Sequence, residues 1–160
     1  MIRAISFQAA LKFLTILFIL PLLWSCSSGG NDNQTDLNPI DPDFPDYAVI
    51  LLEPGADLEN RILSALITAE QNTVVQLPAG TYDFVGELSS SVDNIVLRGT
   101  GMDAESGTVL RFDGQTTGAQ SLLATGNNFV VQDLAIENSP GDAIKVIGTN
   151  GVTIRRVRIE

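Results

Sequence analysis

The sequence contains no histidine and only one cysteine in its 160 residues. Without histidine, Ser-His-Asp catalysis and most zinc sites are excluded within this chain. With a single cysteine, neither an intrachain disulfide nor an iron–sulfur cluster can form. No glycine-rich loop of the phosphate-binding type follows a strand and opens a helix. The chemistry that remains is that of carboxylates, lysine, arginine and divalent cations.

Positive charge is also scarce, since 9 lysines and arginines face 19 aspartates and glutamates and the net charge is −10. Such an acidic surface repels a phosphate backbone, so nucleic acid is not an expected partner. It also repels polyuronates such as pectin or alginate, unless calcium or a local basic patch offsets the charge. One such patch is present at Arg155, Arg156 and Arg158.

A repeat of 23 residues near the end of the chain indicates the fold. Residues 121–137 align with residues 144–160, and their apolar positions coincide. Repeats of this length are units that bury their apolar faces against their neighbours. The repeat therefore predicts a solenoid.

Each repeat consists of short strands rather than helices. Apolar residues alternate on both sides of the polar pair Gln132-Asp133, which forms a corner between two strands. A turn at 138–142 precedes a third apolar strand at 143–147. Three strands and three turns per repeat predict one coil of an all-β fold, a parallel β-helix. The alternation points one set of side chains into the core, namely Phe129, Val131, Leu134, Ile136, Val152, Ile154, Val157 and Ile159, and another set outward, namely Val130, Ala135, Thr153 and Arg158.

The segment 57–71 predicts an N-terminal capping helix. Its apolar residues lie on one helical face, and Asp57 stands where an N-cap residue is expected. The face consists of Leu58, Ile62, Leu66 and Ile67. This helix is expected to cover the open end of the first coil.

Residues 72–84 then form a strand, a Pro-Ala-Gly turn and a second strand, with Val75 and the run Leu77–Tyr82 (LPAGTY) as the recognisable part. Over residues 50–160 the chain resembles the right-handed parallel β-helix proteins of the pectate-lyase-like superfamily, which often open with a capping helix and such a segment. The resemblance implies the fold and a polysaccharide partner. It leaves the activity open, because that superfamily contains lyases, hydrolases, epimerases and non-catalytic adhesins.

The spacing between strands predicts an insertion. Ile95 and Phe129 are 34 residues apart, which is one coil plus 11 residues. We expect strands at 94–98 and 108–112, and the excess in the Gly-, Asp- and Ser-rich segment 99–107. A tolerated insertion is the favoured interpretation, and the wall of a binding site is the alternative.

Residues 1–25 are predicted to be a bacterial lipoprotein signal peptide. Basic residues precede a short apolar run, and the segment Leu23–Cys26 (LWSC) resembles a lipobox, in which Cys26 receives the lipid. Residues 26–48 then form the lipidated cysteine and a flexible acidic tether, and residues 49–160 form the β-helix domain. The predicted location is the bacterial cell envelope, where lipidated Cys26 binds the membrane at a periplasmic or surface face. Signal cleavage removes two basic residues and no acid, so the net charge falls from −10 to −12.

The repeat brings charged side chains together on neighbouring coils, about 4.8 Å apart. Arg156 is expected to stack on Asp133, and Glu160 on Glu137, with Arg158 beside the two glutamates. A surface ladder of charges is the favoured interpretation. The alternative is that Glu137 and Glu160 form a catalytic acid pair or hold calcium, as carboxylates do in polysaccharide-active β-helices.

Two further candidate site residues are Lys145 and Arg155. Lys145 is expected to face outward, because the repeat stacks Val146 on Leu123. A lysine or arginine can act as a base beside a polyuronate, although ordinary surface charge is the favoured interpretation.

Solenoids need caps over their last coil, and Glu160 falls inside a strand. We therefore expect this β-helix to be C-terminally truncated. Two functions remain open. The first is a cell-envelope lipoprotein that acts on a polysaccharide as a lyase, hydrolase or epimerase. The second is a non-catalytic surface module that binds a glycan or another protein.

The lipid anchor generates the first testable prediction. Changing Cys26→Ala should release or misprocess the protein, because no other cysteine can carry the lipid. The measurement is the fraction of the protein that enters the detergent phase in extracts of cells that express either form. A variant that still partitions with membranes after its signal has been cleaved would contradict the assignment.

Overall fold

The computed structural model describes residues 41–160, in which one helix and ten strands are present. In chain order they are β1 Ala48–Leu51, α1 Leu58–Thr68, β2 Thr73–Gln76, β3 Gly80–Asp83, β4 Leu88–Ser90, β5 Ile95–Arg98, β6 Thr108–Arg111, β7 Gln120–Ala124, β8 Phe129–Glu137, β9 Asp142–Val146 and β10 Val152–Ile159. The predicted signal peptide and Cys26 lie outside the described residues. Among those that are described, no helix is long and apolar enough to cross a membrane.

The strands pair in parallel and form three faces of a solenoid. The first face consists of β1, β2, β5 and the first halves of β8 and β10. The second face consists of β3, β6 and the second halves of β8 and β10. The third face consists of β4, β7 and β9. The prediction of a parallel β-helix is confirmed.

The 23-residue register is confirmed on two of the three faces. Val152 pairs with Phe129 and Ile159 pairs with Ile136, so β10 lies directly over β8. On the third face Lys145 pairs with Leu123, so the predicted stacking of Val146 on Leu123 is wrong by one residue. The turn that follows β9 is one residue longer than the turn that follows β7, and this difference absorbs the shift.

The core is a column of inward side chains that continues from coil to coil. Phe129, Val131, Leu134 and Ile136 are completely buried, as predicted. Their partners on β10 point to the same side, but in the last coil they are partly open, and Val152 is 37% exposed. Aromatic residues also stack in this column, and the parallel rings of Phe84 and Phe112 have centroids 5.0 Å apart.

One outward position differs from the expectation. Ala135 lies between Val109 and Arg158 in the outward row of the second face, yet it is completely buried. Arg158 extends from the next coil to donate a hydrogen bond to the carbonyl oxygen of Met102, at 3.1 Å. The outward orientation predicted for Ala135 is therefore confirmed, but the residue is not exposed, because an alanine between larger neighbours and beside this loop has little access to water.

The helix α1 packs against the start of the solenoid, as expected of a cap. Its buried residues are Leu58, Ile62, Ala65 and Leu66. Ile67 is 55% exposed, so its assignment to the buried face is wrong and Ala65 takes that place. Asp57 precedes the helix in the left-handed conformation, and its side chain makes no capping hydrogen bond. The carbonyl oxygen of Leu66 accepts a hydrogen bond from Ser90 on β4, at 3.1 Å.

Asparagines form the corner that leads into the first face. Asn72, Asn94 and Asn128 each adopt positive φ, a conformation that asparagine tolerates better than most residues. The side-chain amide of Asn128 donates to the side-chain oxygen of Asn94 on the preceding coil, at 2.9 Å. The corner is therefore repeated in register.

Residues Asp41–Tyr47, here called the strap, lie against the outer side of the first face. The Asp41 side chain is fully buried and forms an ion pair with Arg98 on β5. Val74 and Val96 are completely buried although they occupy outward positions of this face. Burying a carboxylate is costly unless it has a charged partner, and Arg98 supplies that partner. The ion pair therefore attaches this part of the predicted tether to the domain.

The stacked core generates a prediction about stability. Phe129→Ala should lower the free energy of unfolding by about 3–5 kcal/mol, because it removes a completely buried ring. Val152→Ala at the paired position should cost about 1 kcal/mol or less, because its side chain is partly exposed. Urea denaturation of both variants measures the difference. Equal losses would contradict the assignment of Phe129 to the closed core.

Candidate functional site

The outer side of the second face carries a row of charges, here called the charged stripe. It consists of Asp83, Arg111, Glu137, Arg158 and Glu160. Asp83 pairs with Arg111 and Arg111 pairs with Glu137, each one coil further along. Because equivalent positions of parallel coils stack about 4.8 Å apart, charges distant in sequence become neighbours.

Each carboxylate of the charged stripe contacts an arginine. Arg111 Nε lies 2.6 Å from Asp83 Oδ1. Arg158 binds two glutamates, with Nη2 at 2.7 Å from Glu137 Oε1 and Nη1 at 2.5 Å from Glu160 Oε2. The guanidinium group of Arg158 therefore offsets the repulsion between the two stacked glutamates.

These contacts shift the pKa values of Asp83, Arg111 and Arg158. The hydrogen bond from Arg111 lowers the pKa of Asp83, and the same bond raises the pKa of Arg111. Hydrogen bonds with Glu160 and then Glu137 raise the pKa of Arg158. The charged stripe can thus offer guanidinium donors and carboxylate acceptors to a polar ligand over a wide pH range.

Two loops from the same coil border the charged stripe. The loop 99–107 joins β5 to β6 and holds Met102, whose carbonyl oxygen accepts from Arg158. The loop 112–119 joins β6 to β7, and its Thr116 N–H donates to the Val85 carbonyl oxygen at 2.8 Å. Both loops stand at the ends of the strand that carries Arg111, one on each side.

An insertion is present at 99–107, as predicted, but it accounts for 8 of the 11 extra residues. Val96 and Val109 are 13 positions apart, whereas their partners Val130 and Ala135 on the next coil are 5 positions apart. Asp103 orders the loop by accepting hydrogen bonds from backbone N–H groups at 2.9 and 3.0 Å. The hydrogen bond between Met102 of this loop and Arg158 favours the interpretation of the loop as the wall of a binding site.

A cleft of about 320 Å³ opens at the N-terminal end of the charged stripe. It is lined by Gly55, Asp57, Leu58, Glu59, Asn60, Thr81, Tyr82 and Asp83. Glu59 is fixed by hydrogen bonds from the backbone N–H groups of Val85 and Gly86, at 3.2 and 3.0 Å. Asp83 belongs to both the cleft and the charged stripe, so the two form one continuous polar surface.

The structure separates the five candidate site residues. It brings Glu137, Arg158 and Glu160 together on the second face. Lys145 faces outward on the third face, where it lies 3.4 Å from Asp142. Arg155 lies on the first face, where Gln132 accepts its hydrogen bond at 2.6 Å.

Sequence reasoning missed Asp83 and Arg111. Each is the last residue of a recognisable strand, Asp83 in the segment GTYD and Arg111 in the segment TVLR. Aligning these two segments would have revealed the pair, but they are 28 residues apart and so fall outside the 23-residue period.

The carboxylates of the charged stripe do not form a complete calcium site. Calcium binds six to eight oxygen ligands, and two of the carboxylates are already occupied by Arg158. Among residues 41–160, no group of three or more acidic, histidine or cysteine side chains is placed to hold a metal ion.

The predicted stacking of Arg156 on Asp133 is present. Arg156 Nη2 donates to Asp133 Oδ2 at 2.7 Å. Both residues adopt positive φ at the corner between the first and second faces. The hydrogen bond from Arg156 lowers the pKa of Asp133, so this pair contributes a charged contact between neighbouring coils.

The chain is similar to two curated proteins, Pectinesterase 2.1 and Pectinesterase 1 of Solanum lycopersicum. The identity is 31% to the first and 30% to the second, in each case over 111 residues. Each alignment covers 64% of this chain and 20% of the relative, so the chain spans about a fifth of the length of the curated relatives it matches. No protein-family model and no solved structure matches the chain.

The Asp133–Arg156 pair predicts a pH dependence of stability. Because the folded-state pKa of Asp133 lies below its ordinary value of 3.8, the pair stabilises the fold above that value. This contribution is lost as the pH falls through the lowered pKa. Asp133→Asn should therefore be less stable than the parent chain at about pH 7, and the difference should shrink towards about pH 2.5.

Urea denaturation at the two pH values measures this effect. Asparagine tolerates the positive φ of position 133, so the substitution introduces little backbone strain. A difference in stability that stays constant with pH would show that Asp133 acts through packing rather than through its charge.

Proposed function

We propose that this chain contributes a polysaccharide-binding β-helix to a cell-envelope lipoprotein, and that the charged stripe is the binding face. The observation that carries the proposal is the arrangement of two guanidinium groups between carboxylates on successive coils. The cleft at Asp83 and the loops 99–107 and 112–119 border this row. A sugar chain lying across the coils would meet a polar group at each step of about 4.8 Å.

The residue types suit a carbohydrate ligand. Arginine donates several hydrogen bonds in a fixed plane, which matches carboxyl, ester and hydroxyl oxygens. Ionised carboxylates accept hydrogen bonds from sugar hydroxyl groups. The arginine–carboxylate contacts also hold these side chains in place before a ligand arrives, which lowers the entropy cost of binding.

An esterified polyuronate is the substrate class that we favour. The relatives are named pectinesterases, which points to an esterified pectin as the ligand. Charge supports the same choice, because a chain with a net charge of −10 repels a fully ionised polyuronate. Esterification removes this repulsion while it leaves the carbonyl and hydroxyl groups available.

The lipoprotein part of the proposal comes from the sequence. The predicted signal peptide, Cys26 and the acidic segment that follows agree with an anchor at the envelope. Such an anchor would keep the β-helix close to the membrane, where extracellular or periplasmic polysaccharide is encountered. The full protein would then act on that polysaccharide by lyase, hydrolase, epimerase or esterase chemistry.

A non-catalytic binding module is the second candidate, and one observation favours it. Each carboxylate of the charged stripe is bound by an arginine, so the stripe has no acid held apart from a positive partner. General acid–base catalysis usually requires a group whose pKa is tuned towards neutrality. Within the described residues, the geometry is better suited to binding than to proton transfer.

Binding to esterified pectin tests the proposal. Arg111→Gln and Arg158→Gln should each weaken binding by about tenfold or more, because each removes charged hydrogen bonds to the ligand. Lys145→Gln removes the same charge from the third face and should have little effect. Calorimetry with esterified pectin, de-esterified pectin and a neutral glycan provides the affinities.

Two outcomes would contradict the proposal. An equal loss for Lys145→Gln would move the binding site to the third face. Absence of binding to every polysaccharide would reject the proposed function. Release of methanol or chain cleavage in the same samples distinguishes the enzyme from the binding module.

A further inference from the structure

A second row of polar side chains lies on the first face, here called the Gln/Arg ladder. It consists of Gln76, Arg98, Gln132 and Arg155, which occupy equivalent outward positions of successive coils. Arg98 Nε donates to Gln76 Oε1 at 2.6 Å, and Arg155 Nη2 donates to Gln132 Oε1 at 2.6 Å. Glutamine and arginine therefore alternate, and each glutamine orients a guanidinium group.

The strap covers this ladder with two carboxylates. Asp41 forms an ion pair with Arg98, and Asp43 Oδ2 lies 2.9 Å from Arg155 Nη2. The two partners of Arg155 are thus a side-chain amide and a carboxylate. Both arginines of the ladder are bound by acidic residues that lie outside the coils.

The two strap residues that contact the arginines of the ladder differ in burial. The Asp41 side chain is fully buried, and its Oδ1 accepts hydrogen bonds from the backbone N–H groups of Asp43 and Phe44, at 2.8 and 3.1 Å. The side chains of Asp43 and Arg155 are 49% and 40% exposed. Solvent-exposed ion pairs contribute little, so the Asp43 side chain can separate from Arg155 while Asp41 stays paired with Arg98.

Arg155 is oriented and exposed in a way that suits the binding of a carboxylate. Gln132 is completely buried, so its side chain holds the guanidinium group in a fixed orientation. The half-exposed guanidinium group then presents its remaining donors to solvent and to Asp43. A free carboxylate from another molecule would make the same kind of contact that Asp43 makes now.

We propose that the Gln/Arg ladder is a binding site for the free carboxylate of a uronate sugar, and that Asp43 occupies it as an internal competitor. Binding of the sugar displaces Asp43 from Arg155, while the Asp41–Arg98 pair keeps the strap attached. The choice of a uronate rests on the proposed polysaccharide function. This site differs from the charged stripe, because it selects ionised rather than esterified units.

Removal of the competitor tests the proposal. Asp43→Asn in the full chain, purified in detergent, should bind oligogalacturonate about two- to fivefold more tightly than the parent chain. Arg155→Gln should abolish the gain when the two changes are combined. Asp46→Asn removes one charge from the same segment and serves as the matched control for long-range electrostatics. Calorimetry measures the affinities at one fixed ionic strength.

The outcomes separate this site from the charged stripe. The proposal is overturned if Asp43→Asn and Asp46→Asn change the affinity equally, or if Asp43→Asn changes nothing. Arg111→Gln should leave the binding of oligogalacturonate by the Asp43→Asn variant intact. Loss of esterified-pectin binding in Arg111→Gln reports on the proposed function alone. Thermal unfolding of each variant shows whether the fold is retained.

Discussion

Parallel, in-register stacking of the coils is the constraint on which the rest of this structure depends. Because each strand lies directly over its counterpart, an inward-facing apolar residue in one coil must meet an apolar residue in the next. Phe129 and the other buried residues follow from that requirement. The same stacking operates on the outer surface, where it lines up polar side chains that are far apart in sequence.

The outer faces therefore acquire rows of charges without any local sequence motif. The Gln/Arg ladder on the first face alternates arginine with glutamine, and in the charged stripe on the second face Arg111 lies between Asp83 and Glu137. Alternation lets each arginine bridge two coils, which offsets the repulsion that identical charges would experience about 4.8 Å apart. It also prepares donors and acceptors for a long polar ligand. Stability of the solenoid and the proposed binding of a polysaccharide would then use the same contacts.

Much of this architecture could be predicted from the sequence, because the last two coils are in register on the first two faces. Their apolar residues therefore recur with a visible period of 23 residues. The alternation of apolar residues predicted the strands, and the 23-residue period predicted the contact between Arg156 and Asp133. The third face differs by one residue, since a single extra residue in a turn leaves no trace in the apolar pattern. The contact between Asp83 and Arg111 was missed because insertions change the period there. The Asp43–Arg155 contact spans 112 residues and belongs to no repeat at all.

We propose that the stacked coils present a polysaccharide-binding row on the second face. A crystal structure of the protein with an oligosaccharide from esterified pectin tests it most directly. We expect sugar density across the coils, with contacts to Arg111 and Arg158 and its end in the cleft beside Asp83. Sugar density confined to the third face around Lys145 would contradict the account.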